Sequence, residues 1–316
     1  MKISVVTPVY KAEKCLKELY IRLVKSLETI TLDFEIIMVN DNSPQNDWEI
    51  IKQLSSSDSR VKGINFSRNF GQHFAITAGL DHADGDWIVV MDCDLQDSPE
   101  EIIKLYNKAL SDSNIDVVFG KRMNRKDSLL KKMSSKLFYT VYDYFTDSKF
   151  DNTVANFSIA KRIVIKNFLK LREHNRSYPL FIKWVGFNLD YCEIEHSDRF
   201  SGKSSYNFKK LITLAVDSVV SQSNRPLRLS INFGFFISFI SLMYTLYLVM
   251  RYFLLKTPVD GWTSIMVSLW CIGGLLFANM GLVGLYIGKI FNETKNRPLY
   301  IIKEQTNIEE VKNGLL

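Results

Sequence analysis

Two long uncharged runs near the C-terminal end constrain the fold of this sequence most. Residues 233–250 and 263–288 contain no Asp, Glu, Lys or Arg. As a helix, the shorter run is about 27 Å long, which is enough to cross the hydrocarbon core of a bilayer. A charge at mid-membrane costs about 2.5–3.5 kcal/mol on the insertion scale, so uncharged runs of this length are informative. The sequence therefore predicts a hairpin of two transmembrane helices.

Basic residues flank this predicted hairpin at its outer ends, whereas the connection at residues 256–262 is short and nearly neutral. They are Arg225 and Arg228 before the first run, and Lys289, Lys295 and Arg297 after the second. Positively charged flanks stay on the cytoplasmic side of a membrane. We therefore expect a multi-pass protein of the inner (cytoplasmic) membrane, with its remaining chain facing the cytoplasm.

The first part of the sequence alternates short apolar runs with segments of helical spacing. Predicted strands cover residues 2–7, 34–39, 61–66, 87–91 and 117–119, and predicted helices cover residues 11–30, 48–54, 73–80 and 99–110. Pro8 is expected to stop the first strand. This alternation indicates an α/β domain with a mostly parallel sheet. The first strand is not followed by Gly-x-Gly-x-x-Gly, so an ordinary dinucleotide-binding fingerprint is excluded.

Oxygen-bearing side chains follow the predicted strand at residues 87–91, namely Asp92, Asp94, Gln96 and Asp97. Open α/β sheets bind ligands at the carboxyl ends of their strands. Two carboxylates and an amide at this spacing suit a hard divalent cation that also holds substrate phosphates. A solvated acidic turn is the simpler alternative. A phosphatase of the haloacid dehalogenase type is disfavoured, because its motif lies on the first strand and usually has Thr or Val at the position of Gln96.

The net charge of +6 is compatible with nucleic acid, a membrane surface or a phosphorylated substrate as partner. Because the basic residues lie beside apolar stripes and the predicted spans, we expect no nucleic-acid binding. The four cysteines are scattered and show no Cys-x-x-Cys spacing. They indicate neither a zinc site nor a disulfide framework, and they fit a reducing compartment.

A basic stretch with an apolar stripe follows the predicted fifth strand. Its cations are Lys121, Arg122, Arg125, Lys126, Lys131, Lys132 and Lys136, and apolar residues recur at helical spacing between residues 129 and 145. The pattern predicts an amphipathic helix on the membrane surface, where each cation near anionic lipid contributes about 1 kcal/mol. Packing of the stripe on the domain core is the alternative. A second amphipathic helix is predicted at residues 208–220.

Several motifs of the N-terminal half resemble family 2 glycosyltransferases with the nucleotide-sugar-binding GT-A fold. They lie at residues 5–10, 39–44, 67–72, 75–80 and 91–97, in the order and spacing of that family. Arg-Asn-Phe-Gly at residues 68–71 and Asp-Leu-Gln-Asp at residues 94–97 resemble the branch that uses polyprenyl phosphates, such as dolichol-phosphate mannosyltransferase and the bactoprenol glucosyltransferases. The resemblance extends over nearly the whole chain and implies a homo-oligomer, a tetramer.

The resemblance also implies the roles of individual residues. Those that would line the nucleotide-sugar site are Pro8, Tyr10, Glu13 and Asp41. Asp92 would face the donor, while Asp94 and Gln96 would hold Mg²⁺ or Mn²⁺ on its diphosphate. The metal ion neutralises charge that builds on the departing nucleoside diphosphate. An ordinary helix-start surface is the alternative for Tyr10 and Glu13.

Residues 152–158 resemble a segment in which relatives often carry Gly-Asp-Phe-Arg. Asn156 stands at the Asp position and Ser158 at the Arg position. A phosphate monoester has a second pKa near 6, so such an acceptor is already mostly dianionic at neutral pH. It needs positioning and nearby cations more than it needs a general base. Asn156 is therefore expected to position the reactants in the catalytic site.

Residues 199–206 resemble the family motif Arg-x-x-Gly-x-Ser-Lys-Tyr, with Ser205 at the Lys position. Arg199 and Lys203 are candidates to bind the phosphates of donor or acceptor. Arg122, at the end of the predicted fifth strand, is a third candidate. Gly202-Lys203-Ser204 is not the end of a P-loop, because the required earlier glycine is Ser197.

Taken together, these features predict a nucleotide-sugar-binding core at residues 1–125, an acceptor-side region with amphipathic surface helices at 126–228, two spans at 229–290 and a cytoplasmic tail at 291–316. The expected activity is inverting transfer of a sugar, UDP-linked in the donor, to undecaprenyl phosphate. One alternative is a glycosyltransferase that extends a glycan or lipid-linked oligosaccharide at a sugar hydroxyl, which requires a general base. The other is a non-catalytic membrane scaffold.

Overall fold

The computed structural model describes residues 1–122, 144–145, 154–195, 219–220, 223–255 and 261–308. The chain divides into two compact units. The first, here the sheet unit, comprises Met1–Asp127, Asp151–Ser205 and Arg297–Leu316. The second, here the helical unit, comprises Ser128–Phe150 and Tyr206–Asn296. The segment predicted as a tail, 291–316, thus belongs from Arg297 onward to the same unit as the N-terminal core.

An eight-stranded sheet with helices on both faces forms the sheet unit. Its strands are β1 (Ile3–Val9), β2 (Phe34–Asn40), β3 (Val61–Phe66), β4 (Trp87–Val90), β5 (Val117–Arg122), β6 (Val154–Lys161), β7 (Leu189–Ile194) and β8 (Ile302–Thr306). Its helices are α1 (Leu16–Glu28), α2 (Asp47–Ser57), α3 (Gln72–Asp81), α4 (Glu101–Leu110), α5 (Arg162–Phe168) and α6 (Tyr178–Val185).

The strand order is β7-β5-β6-β4-β1-β2-β3-β8. β1 pairs in parallel with β2 and β4, β2 with β3, and β5 with β7. β6 is antiparallel to both β4 and β5, and β8 is antiparallel to β3. The predicted α/β class and its mainly parallel sheet are confirmed, and the antiparallel strands β6 and β8 are additions that the sequence did not predict.

The centre of the sheet is covered on both faces, which is why its strands read as continuous apolar runs. Every residue of β1, β2 and β4 is buried. One face packs against α1, α2 and α4, and the other against α3, α5 and α6. Gly79 lets α3 approach β1 closely, because a Cβ at this position would lie 2.3 Å from Val6 Cγ1.

Pro8 does not end β1, and the prediction that it would was wrong. β1 continues to Val9, with Pro8 opposite Val39 of β2. On the other side, the ladder between β1 and β4 ends at Val6. Proline lacks a backbone N–H, and beyond the end of that ladder no donor is required, so the strand tolerates it.

The C-terminal strand β8 adds an edge to the sheet next to β3. Its sequence, Ile-Lys-Glu-Gln-Thr, has no apolar alternation, so periodicity could not identify it. Specific contacts hold the segment in place. The Tyr300 ring stacks on Phe66 with centroids 5.3 Å apart, and Trp48 Nε1 donates to Glu304 at 2.8 Å. The chain therefore returns to the sheet unit after the predicted spans.

Two long helices, α7 (Arg225–Leu255) and α8 (Trp262–Thr294), form most of the described helical unit. They contain stretches long and apolar enough to cross a membrane, Arg225–Leu248 and Ser268–Thr294, whose apolar windows are not buried within the protein. The Ser230 hydroxyl near the start of α7 contacts Asn279 of α8, and Tyr286 donates to the Ser223 carbonyl at 2.8 Å. These contacts fit the predicted hairpin. The predicted amphipathic helices lie almost entirely outside the described residues.

Candidate active site

The loops after β1, β2, β3 and β4 lie at one edge of the sheet, because these strands are parallel. β5 runs in the same direction as β4, since both are antiparallel to β6. Arg122, the last residue of β5, is therefore at this edge as well. Arg199 and Lys203, the other predicted phosphate ligands, lie outside the described residues.

In the loop after β4, three half-buried polar side chains alternate with buried residues. Asp92, Asp94 and Gln96 are half-buried, whereas the residues between them, Cys93 and Leu95, are buried. Leu95 has φ +59°, a backbone conformation that a leucine rarely adopts. Its side chain lies in the apolar core, which holds this turn in place. The buried residues thus fix the backbone that carries the predicted metal ligands.

Asp92 is held by amides from two other elements. Gln72 Nε2, at the start of α3, donates to Asp92 Oδ1 at 2.7 Å. Asn156 Nδ2, on β6, makes a long contact with the same oxygen at 3.5 Å. The register between β4 and β6 pairs Val90 with Ser158, and two residues further along it brings Asp92 opposite Asn156. Of the three residues predicted to be catalytic, Asp92, Asp94 and Asn156, the structure brings Asp92 and Asn156 into contact, and it adds Gln72, which sequence analysis left without a role.

Asp41 lies at the end of β2 and is buried. Its carboxylate accepts hydrogen bonds from the backbone N–H of Phe70 at 2.7 Å and of Gly71 at 2.9 Å. Burial raises the pKa of Asp41 above its ordinary value, although these two hydrogen bonds oppose the shift. Gly71 has φ +112° and is the N-cap residue of α3. Asp41 therefore fixes the loop from which α3, and with it Gln72, starts.

The loops after β1 and β2 are tied to each other. Lys11 N–H donates to Ser43 Oγ at 3.0 Å, and Ala12 N–H donates to the buried carboxylate of Asp47 at 3.1 Å. Of the residues predicted to line the nucleotide site on the first loop, Tyr10 and Glu13 are exposed, whereas Pro8 is buried within β1. Their contact with a nucleotide stays a prediction.

Cys93, between the two aspartates, is not a nucleophile. Burial raises the pKa of its thiol, and the backbone of Tyr10 makes a hydrogen bond to it. A buried, protonated thiol is inert at neutral pH. Its contact with Tyr10 instead links the loop after β1 to the acidic loop after β4.

Ser158, at the arginine position of the motif that this segment resembles, carries no charge. It is fully buried, and its hydroxyl lies 2.9 Å from the Tyr178 hydroxyl. The Tyr178 N–H in turn donates to His73 Nδ1 at 3.3 Å. Burial, with the nearby Arg176 cation, lowers the pKa of His73 to about 4, so His73 is neutral at pH 7. Ser158, Tyr178 and His73 thus form an uncharged hydrogen-bonded group that links β6, α6 and α3.

The donor set at this edge suits a hard metal ion that also binds phosphates. Among the residues that the structure describes, no three His, Cys, Asp or Glu side chains are grouped as they would be in a metal site. Asp94 and Gln96 supply a carboxylate and an amide oxygen. Mg²⁺ sites of enzymes that act on phosphates commonly use one or two protein carboxylates and complete their shell with phosphate oxygens and water. The residues present therefore fit a metal ion that arrives with a diphosphate.

Comparison with known proteins agrees with this architecture. The family model described as glycosyl transferase family 2 matches residues 4–170, more than half of the chain. An uncharacterized glycosyltransferase of Bacillus subtilis (strain 168) is 34% identical over 307 residues, covering 97% of this chain and 94% of its own length. The SfII prophage-derived bactoprenol glucosyl transferase of Shigella flexneri is 36% identical over 305 residues, covering 96% and 98%, respectively.

Among solved structures, glucosyl-3-phosphoglycerate synthase from Mycobacterium tuberculosis, in complex with Mg²⁺ and uridine-diphosphate, superposes with a TM-score of 0.50. It is 14% identical, and the match covers 71% of this chain and 79% of that chain. At this identity the likeness concerns the fold alone. Together with the family match and the near full-length relatives, it leads to one conclusion: the chain belongs to glycosyl transferase family 2 and has the GT-A fold.

Proposed function

We propose that this protein is a membrane-anchored, inverting glycosyltransferase that moves a sugar from a UDP-linked donor to undecaprenyl phosphate at the cytoplasmic face of the inner membrane. One observation carries the proposal. The Asp92, Asp94 and Gln96 cluster lies at the carboxyl edge of a GT-A sheet, in a chain that also contains two candidate spans. Relatives named bactoprenol glucosyl transferases, 34–36% identical over nearly the whole chain, support a lipid-linked acceptor.

The nucleotide sugar is proposed to bind across the loops after β1 and β2, with its diphosphate reaching the loop after β4. Asp94 and Gln96 would hold Mg²⁺ or Mn²⁺ there, as their oxygen donors suit such an ion. The bound ion would offset the negative charge of the departing nucleoside diphosphate. Solved relatives of the same fold contain Mn²⁺ or Mg²⁺ together with uridine-diphosphate, which supports this donor class.

The acceptor is proposed to be a phosphate because Asn156 offers an amide at the position where the family motif that this segment resembles often carries a carboxylate. Asn156 cannot remove a proton, but its amide contacts Asp92 and can orient a reactant. A phosphate monoester is mostly dianionic at neutral pH and attacks without a general base. Arg122, Arg199 and Lys203 are the proposed partners of its charge. Attack opposite the diphosphate inverts the anomeric carbon.

The proposed orientation has a topological argument in its favour. The chain leaves the sheet unit before α7 and rejoins it after α8, where β8 pairs with β3. A hairpin of two spans returns the chain to the side from which it started. Both outer flanks are basic, which favours the cytoplasmic side, where nucleotide sugars are available. The sheet unit is therefore proposed to face the cytoplasm.

A transfer assay tests this function directly. Purified full-length protein is incubated with undecaprenyl phosphate and a panel of labelled nucleotide sugars, with Mn²⁺ or with a chelator. We expect label to enter the organic phase with one donor and only in the presence of metal. Transfer to a sugar hydroxyl, with none to the lipid phosphate, would overturn the acceptor assignment. Failure to bind nucleotide and metal would point to the scaffold alternative.

A further inference from the structure

The contact between Gln72 and Asp92 joins two loops that are distant in sequence. Gln72 is the first residue of α3 and is exposed, yet its amide nitrogen lies 2.7 Å from Asp92 Oδ1. An ionised carboxylate can only accept hydrogen bonds, so the amide must present its N–H₂ side to it. Side-chain torsions of an exposed glutamine are ordinarily free, and fixing them costs entropy. The contact is thus a defined interaction within the site.

We infer that Gln72 is a positioning residue for Asp92: its amide fixes the orientation of the Asp92 carboxylate toward the nucleotide sugar. This inference rests on the proposed function of the site. It adds a residue to the reaction machinery that neither the sequence motifs nor the family comparisons assign. Gln72 itself need not touch the donor, since it acts through the carboxylate that does.

Hydrogen bonds fix the backbone that carries Gln72. Asp41 holds the N–H groups of Phe70 and Gly71, the two residues before Gln72. Gly71 adopts φ +112°, which side-chain-bearing residues rarely reach. On the other side of Asp92, Asn156 lies within β6, two residues beyond Ser158, the last residue of β6 that pairs with β4. Amides from two different elements therefore converge on one oxygen of Asp92, as expected for a positioned catalytic group.

A simpler role for Gln72 is that it merely starts a helix. The two roles predict opposite effects of a glutamate at this position. Glu is well suited to the first turn of a helix, because its charge interacts favourably with the helix dipole. A positioning role predicts the reverse, since a second carboxylate against Asp92 replaces attraction with repulsion. The substitution Gln72→Glu therefore separates the two.

The test compares Gln72→Ala, Gln72→Glu and the control Gln53→Ala, an exposed glutamine on α2, in full-length protein with UDP-glucose, Mn²⁺ and undecaprenyl phosphate. We expect kcat to fall about 10–100-fold in Gln72→Ala and further in Gln72→Glu, because small misplacements of a catalytic group cost up to about 100-fold. KM for the donor and the Kd of UDP with Mn²⁺ should change less than about threefold. Gln53→Ala should match the wild type. Gln72→Glu as active as the wild type would overturn the inference.

A second measurement needs no substrate, so it tests the contact between Gln72 and Asp92 independently of the proposed function. Tm is measured for Gln72→Ala, Asp92→Ala and the double variant. We expect the shifts to be non-additive, because the two side chains interact. Additive shifts would refute the contact even if the wild type transfers no sugar. A wild type without transfer activity, combined with non-additive shifts, would overturn the proposed function and retain the pairing of Gln72 with Asp92.

Discussion

Two aspartates at the same edge of the sheet, Asp41 after β2 and Asp92 after β4, are held in different ways. Asp41 is buried and accepts hydrogen bonds from backbone N–H groups. Asp92 is half-buried and is held by the side-chain amides of Gln72 and Asn156. Hydrogen bonds from the backbone make Asp41 a structural part of its loop. Hydrogen bonds from side-chain amides orient the Asp92 carboxylate and leave it partly exposed. Similar residues in similar positions thus hold a loop in the case of Asp41 and, by our proposal, face the substrate in the case of Asp92.

Asp94→Ala should produce the largest effect, and it should affect activity alone. Loss of a proposed metal ligand is expected to lower kcat at least about 1,000-fold, since charge on the leaving diphosphate is no longer offset. Tm should stay within about 2 °C of the wild type, because the side chain is half-buried and the turn is anchored by Leu95. Asp33→Ala, at an exposed aspartate, is the control. Substantial turnover by Asp94→Ala would refute the metal assignment.

Asp41→Ala tests the structural role of the other aspartate and should lower the stability of the protein. The backbone N–H groups of Phe70 and Gly71 lose their acceptor, at about 1–3 kcal/mol for each group left unsatisfied. Chemical denaturation should report a fall of about 3 kcal/mol in the free energy of unfolding. Asp41→Asn, which keeps one oxygen, should lie between this variant and the wild type. A variant of unchanged stability would show that Asp41 does not hold the loop.

Glu35, near the start of β2, is another buried carboxylate, and charged and polar groups surround it. Its effect on stability can be compared with that of Asp41. Burial tends to raise its pKa, but Lys62, Ser4, the Asp84 N–H and Lys2 together lower it to about 2. A lowered carboxylate pKa contributes stability above the unfolded-state pKa, and this contribution is lost as the pH falls through the folded-state pKa. We therefore expect Glu35 to contribute up to about 3 kcal/mol at neutral pH, lost between about pH 4.5 and pH 2.

Unfolding measured against pH checks this expectation in the wild type and in Glu35→Gln. Asp41 has the opposite sign, since its raised pKa makes the folded state gain stability as it is protonated. The difference between the two proteins therefore isolates Glu35. Glu49→Gln, at an exposed ion pair with Lys52, is the matched control and should leave the curve unchanged. Identical curves for Glu35→Gln and the wild type would contradict the assignment.

Asn156→Asp should have the smallest effect, and it tests whether the acceptor is a phosphate or a sugar hydroxyl. A carboxylate at this position would lie against Asp92 Oδ1 instead of the amide that now contacts it. We expect about a tenfold lower kcat with undecaprenyl phosphate, corresponding to about 1.4 kcal/mol, through repulsion between the carboxylates. Asn114→Asp, in an exposed loop, is the control. An increase in transfer to a sugar hydroxyl would instead show that a general base at this position suits that alternative chemistry.

The parts of the molecule that sequence analysis predicted correctly are those encoded locally. The strands around β4 and the two apolar helices follow from runs within a single segment. Asp92, Asp94 and Gln96 are neighbours along the chain, so the sequence alone assigns them to one loop, and their roles stay predictions. The contact from Gln72 joins residues 20 positions apart across a loop, and its geometry depends on how Asp41 folds that loop. β8 has no apolar pattern, and its position depends on contacts with Trp48 and Phe66, which are more than 200 residues earlier.

The position of β8 in the chain sets an order for biosynthesis. β3 precedes the two apolar helices and β8 follows them, so the edge of β3 stays unpaired until both helices have been synthesised. An open strand edge is a template for pairing with other chains. Under the proposed topology, the sheet of the enzyme domain is therefore completed only after both apolar helices have been synthesised.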